Sequence, residues 1–156
     1  MKTNIPDSAA VMTEDSEKMV QAKEYLEKVQ VYESRVSSKL AQLQSLRDIS
    51  SNVGRQLSSM PRNPSPDLQK SQTLTAKICD LQIETNDAIE EFVNYLTDVG
   101  VLIEQIDNVK YKRILEMRYI LKMRWPQIYK ELGYSEAGVE YAHKQALKEF
   151  EKFMPN

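Results

Sequence analysis

Between Arg124 and Lys148 the chain places cationic and amide side chains, Arg124, Gln127, Lys130, Lys144 and Lys148, on two short apolar-periodic segments separated by Gly133, Tyr134 and Ser135. Lys and Arg neutralise phosphate charge, and amide side chains add hydrogen bonds to it. The chemistry on offer is binding of a polyanion. Catalysis has no comparable support. There is no Ser, His and acid constellation beyond chance and no Gly-rich phosphate loop, and acidic pairs such as Glu90 and Glu91 fall on a long helix surface. The chain is not expected to be an enzyme. One His with one Cys cannot supply a structural zinc site, so neither metal nor cofactor is expected.

The elements that must position these side chains are legible in WPQIYKELGYSEAGVEYAHKQAL, residues 125–147. Pro126 suits a first helical turn, where its missing N–H would have no partner anyway, and Ile128 and Leu132 lie four apart on one face. Gly133 then ends the helix, because glycine takes a positive φ without steric cost, and Ser135 is a good N-cap for the next helix. That helix carries Val139, Ala142, Ala146, Leu147 and Phe150 inward. Two short helices at an angle across a glycine turn form a helix-turn-helix, the unit that sets its second helix in a DNA major groove. The same spacing also describes a plain helical hairpin closed by glycine. The only Trp, Trp125, reads as packed at the helix junction, and His143 as structural on the inner or side face.

From Lys112 to Phe153, through RILEMRY, IYKELGYSEAGV and the QAL run, the chain resembles the promoter-reading C-terminal region (region 4) of bacterial sigma factors. It is similar as a whole, from about Tyr25 onward, to short phage and prophage proteins that join a long helical N-terminal part to such an ending, some of them regulators of late phage genes. The resemblance implies that the start of the second motif helix faces the groove, making Glu136, Ala137, Glu140, Tyr141 and Lys144 the base-edge candidates. Lys144 would donate to guanine, Glu140 accept from cytosine, and Tyr141 meet a phosphate or thymine methyl. Arg124, Gln127, Lys130, Ser135 and Lys148 are the phosphate candidates, with Ser135 foremost a cap. The sequence departs from the sigma pattern at Tyr129, where a small residue usually permits close helix contact. It also carries Glu136 and Glu140 where basic or neutral residues are usual, and Gln145 where an Arg commonly stands.

The rest of the chain reads as an arm. Few Gly and Pro and many helix formers indicate an all-α protein. Residues 1–14 lack periodicity and read as a flexible tail. Residues 15–107 read as a long antiparallel helical hairpin, with a Pro-rich turn at 54–67 around Pro61, Pro64 and Pro66. Its first helix carries an apolar stripe from Met19 to Val53 that includes Leu40 and Ile49. In its second helix Ile78, Leu81, Thr85, Ala88, Phe92, Tyr95, Val99, Leu102 and Ile106 alternate steps of three and four, a coiled-coil seam. Asp107 and Asn108 break this helix before a shorter one over 109–123, with Ile114, Leu115 and Leu121 inward. Residues 108–156 make up the small three-helix domain that contains the motif.

Charge is divided along the chain. Residues 1–107 hold 11 Lys/Arg against 17 Asp/Glu, a balance of −6, whereas residues 108–156 hold 10 against 6, a balance of +4. A basic end on an acidic arm fits nucleic-acid contact at one end only. Nowhere are there about 18 consecutive apolar residues, so no membrane span is expected, and Cys79 suits a reducing cytoplasm. The expected protein is a cytoplasmic, sequence-specific double-stranded DNA-binding transcriptional regulator of phage or prophage origin. Surplus apolar surface at Ile83, Ile89, Val93, Leu96 and Ile103 predicts a homodimer built on the Ile78, Leu81, Phe92, Tyr95, Val99 and Leu102 seam. Two alternatives stay open: a small terminase subunit that binds DNA for packaging, and an interaction module that binds RNA polymerase or another factor without DNA.

Overall fold

The computed structural model describes residues 8–58 and 66–155, so Pro61, Pro64 and the middle half of the expected Pro-rich turn lie outside the described residues. The chain is all-helical. Two long helices, α1 (Ser8–Ser58) and α2 (Pro66–Glu104), precede α3 (Val109–Leu115), a π-helical turn (Glu116–Ile120), α4 (Trp125–Leu132) and α5 (Glu136–Glu151). No helix among the described residues is long and apolar enough to cross a membrane. α1 starts at Ser8, inside the segment expected to be a tail, and runs through Gly54 to Ser58. A single glycine costs a helix only about 1 kcal/mol, which its neighbours offset, and no proline intervenes before Pro61.

The chain divides into two compact units, Val31–Val93 and the union of Met1–Gln30 with Asn94–Asn156. Within Val31–Val93 the two long helices run antiparallel. Arg35 pairs with Glu91 at 2.8 Å, Lys39 with Glu84 at 2.7 Å, and Arg47 donates to Gln82 at 3.3 Å, so one number rises as the other falls. Exposed pairs of this kind fix register and contribute about 0–1 kcal/mol each. Only Leu43, Thr85 and Ala88 are buried among the described residues of this unit. Thr85 satisfies its hydroxyl by donating to the Leu81 carbonyl at 2.6 Å. Ile78, Leu81 and Phe92 line the seam half-buried. Leu40 and Ile49, expected on the inner stripe, are about half exposed. A 3.6-residue helix drifts by roughly 20° per heptad from a 3.5-residue seam, which carries such positions to the flank.

The other unit holds most of the core. Ala22, Leu26 and Val29 of α1 are buried, as are Val99, Ile103 and Ile106 toward the end of α2. The Tyr25 and Tyr95 rings lie 5.3 Å apart, and the Tyr95 hydroxyl donates to the Tyr25 carbonyl at 2.7 Å. Tyr25 also meets Phe150 of α5 at 6.0 Å. The expected boundary between Asp107 and Asn108 is not where the compact units part. The ends of both long helices bury their apolar side chains together with the C-terminal helices.

Candidate nucleic-acid interface

Asn108 caps α3, its Oδ1 accepting the Lys110 N–H at 3.0 Å and the Tyr111 N–H at 3.3 Å. Ile114 and Leu115 are fully buried, and α3 packs chiefly on α5. The helix expected to reach Met123 stops being α-helical at Glu116. The Leu121 N–H reaches back five residues to the Glu116 carbonyl at 2.8 Å, and the Met123 N–H six residues to Met117, also at 2.8 Å. Such widened turns mark functional positions in many helices. Here the consequence is that Leu121, expected inward, is 65% exposed, while Met117 and Tyr119 are buried. The turn ends on Lys122 with φ of 54°, in the left-handed region.

α4 begins at Trp125 with Pro126 in its first turn, as its sequence predicts. The Gln127 side chain accepts the Arg124 backbone N–H at 3.0 Å, which makes Gln127 a capping residue. Gly133 closes the helix with φ 66° and ψ 24°, its N–H donating to the Tyr129 carbonyl at 3.0 Å. Ser135 caps α5 by accepting the Gly138 N–H at 3.2 Å. Val139, Ala142, Ala146, Leu147 and Phe150 are all buried, and Ile114, Met117, Ile128, Val139 and Ala142 form one apolar cluster. A Cβ built on Gly133 meets nothing within 4 Å, so Gly133→Ala acts through the backbone alone. Holding an L residue in the left-handed region costs about 1–2 kcal/mol. A loss of that size is expected in urea unfolding, and an unchanged midpoint would show that the turn does not need glycine.

On α5, Glu136, Ala137, Glu140, Tyr141 and Lys144 are all exposed. Steps of three and four put them on one outward face, away from the buried row. Tyr141 is 65% exposed, and Tyr134 in the turn 49%. The face holds two Glu against one Lys. Glu136 complements the helix N-terminus. Burial, and then the charges of Glu136 and Glu140, hold the Tyr129 hydroxyl above its ordinary pKa.

Most of the neighbouring cations are already engaged. The Lys110 ammonium sits 3.9 Å from the Tyr134 ring centroid, Lys112 pairs with Glu104 at 2.9 Å, and Arg113 with Glu131 at 3.3 Å. Arg118 stacks on Trp125 at 4.9 Å and donates to the Met123 carbonyl at 3.1 Å. Lys148 pairs with Asp15 of α1 at 2.8 Å and keeps the Asp15 carboxyl below its ordinary pKa. Among the phosphate candidates, Arg124 and Lys130 stand exposed and form no ion pair with any described residue, as does Lys144 among the base-edge candidates. The pairing of Lys148 is invisible to sequence reasoning, because its partner lies 133 residues away.

Trp125 packs against the apolar cluster, stacked on Tyr129 at 6.3 Å and edge-on to His143 at 4.8 Å. His143 in turn shares a hydrogen bond of 2.9 Å with the Tyr119 hydroxyl. Tyr129 is accommodated half-buried, its ring stacked on Trp125 and packed against the apolar cluster.

A family model described as a protein of unknown function, DUF1492, matches residues 71–151, more than half of the chain. The chain belongs to the DUF1492 family. The match runs from within α2 through the whole of α5, so the part that defines this DUF1492 chain includes α4, the turn at Gly133 and α5. No curated protein and no solved structure matches the chain.

Proposed function

We propose that this DUF1492 protein is a sequence-specific double-stranded DNA-binding transcriptional regulator of the phage type, and that α5 is its recognition helix. The observation that carries the reading is the single exposed face of Glu136, Ala137, Glu140, Tyr141 and Lys144, held rigid by the Gly133 turn and the Ser135 cap. Arg124 and Lys130 flank that face as unpaired cations and supply backbone contacts. With two Glu on the face, affinity comes from few phosphates, so modest binding with a shallow salt slope is expected.

The test is binding to a randomised duplex pool across several salt concentrations, followed by sequencing of the retained fraction. Each phosphate neutralised contributes about 0.9 to the slope of log K against log salt. Lys144→Glu, and separately Arg124→Glu with Lys130→Glu, should each weaken binding about tenfold or more, equivalent to roughly 1.4 kcal/mol. Sedimentation of the same sample reports assembly. A second copy covering Val31, Ile83 and Val93, all more than half exposed, gives a dimer, whereas a closed ring favours the terminase alternative.

One observation favours a second reading. Tyr134 and Tyr141 are exposed beside acidic Glu136 and Glu140, a composition better matched to a basic protein partner such as polymerase than to DNA. Absence of binding to any duplex at low salt would move the assignment there.

A further inference from the structure

A cavity of about 260 Å³ opens among α1, the π-helical turn, α4 and α5, and it shares only Glu140 and Lys144 with the recognition face. Three cations line it from three different elements: Lys23 of α1, Arg118 of the π-helical turn and Lys144 of α5. Two carboxylates also reach it, Glu27 and Glu140. Glu27 faces Lys23 at 3.7 Å, and that pair is close to neutral. Glu140 is exposed and forms no ion pair with any described residue. The guanidinium of Arg118 is immobilised on Trp125, with one nitrogen committed to the Met123 carbonyl. Its remaining N–H donors have no acceptor among the described residues. The walls are the Tyr119, Trp125, Tyr129 and His143 rings.

We propose that this cavity is an oxyanion site, sized for a tetrahedral phosphate or sulfate group, with Arg118, Lys144 and Lys23 as its ligands. A planar fork on Arg118 with two mobile ammonium groups is the donor set that recognises such an anion. The site shares Lys144 with the recognition face of α5 and draws its other two ligands from α1 and the π-helical turn, so binding of free sulfate tests it apart from DNA binding.

A consequence links the anion to a proton. Lys23 and Arg118 act on the His143 ring as positive charge, and together with burial they keep it neutral. The facing groups are Lys23 and Glu27 from α1, Arg118 and Tyr119 from the π-helical turn, Tyr129 from α4, and Glu140 and Lys144 from α5. With Tyr119 and Tyr129 neutral, they sum to +1, so a dianion leaves the site at −1 and makes room for a proton on His143. The contact to Tyr119 survives protonation. Neutral His143 accepts or donates at Nε2, and the imidazolium donates to the phenol oxygen. Anion binding therefore raises the proton affinity of His143, and by reciprocity a lower pH tightens the anion.

The chain has one His and one Trp, and both line this cavity. The test is a proton NMR titration of the His143 ring in the full chain, with sodium sulfate against sodium chloride at equal ionic strength, and Trp125 fluorescence at neutral pH as an independent readout. Sulfate keeps its charge over the range. The expected result is that sulfate alone raises the His143 midpoint by about half a unit or more, a threefold change in proton affinity, and perturbs Trp125 saturably. Both responses should vanish in Lys23→Gln with Lys144→Gln, two exposed substitutions that spare the fold. A parallel arm replaces sulfate with a short DNA duplex. Response to the duplex but not to free sulfate would assign the oxyanion to a backbone phosphate. No response to sulfate or duplex, an equal response to chloride, or a response that survives the double substitution would overturn the site.

Discussion

Truncating Phe150 to alanine is expected to cost about 3–5 kcal/mol, the range for removing a fully buried aromatic side chain. Phe150 has no exposure, and its ring meets Tyr25, which in turn meets Tyr95. One side chain of α5 thus anchors both α1 and α2 in the same unit. Domain stabilities of about 5–15 kcal/mol make this loss a large fraction of the whole. Urea unfolding should show a lower midpoint at nearly unchanged slope, with Phe150→Leu recovering most of the loss. A cost below about 1 kcal/mol would mean that α5 does not depend on this contact.

The second large effect is acid sensitivity centred on His143. Burial first, then the charges of Lys23 and Arg118, lower its pKa from 6.5 to about 4. The unfolded chain takes the proton near 6.5, whereas the folded chain resists it until about 4. Protons therefore favour unfolding across that window. Stability should be level above pH 6.5 and decline as pH falls toward 4, by an amount on the order of 3 kcal/mol at most. His143→Phe should flatten the decline while keeping the contact with Trp125. Asp15 and Glu84, whose pKa values lie below their ordinary ones through Lys148 and Lys39, add their own loss of stability as pH falls through the carboxylate range. A profile equally steep in His143→Phe would assign the acid effect elsewhere.

Local chemistry was the legible part of this chain. Gly133 and Ser135 announce their roles because a cap or a left-handed turn involves only neighbours within four residues. The buried row of α5 follows from helical spacing. Long-range pairing was not legible. Nothing near Lys148 announces Asp15, and nothing near Phe150 announces Tyr25, because such partners are chosen by the packing of elements far apart in sequence. Gln127 looked like a phosphate ligand because amides serve both roles, and only the 3.0 Å contact to the Arg124 N–H identifies it as a cap. The outward face of α5 was implied by resemblance, and its five residues do lie exposed together. The cavity around His143 escaped notice because its lining is drawn from four elements, one of them more than 90 residues earlier in the chain.

The π-helical turn also changes how chain length is counted. Such a turn is an α-helix that has absorbed one additional residue instead of expelling it into a loop. Each residue advances a helical side chain by about 100°. Everything after Ile120 is accordingly rotated from where an unbroken helix would carry it, which is why Leu121 meets solvent. Insertions and deletions are ordinarily tolerated in loops because they lengthen or shorten a tether without turning what it holds. Between Glu116 and Ile120 the reverse applies. One residue fewer would restore α-helical phase and turn the direction in which the chain enters α4 and α5.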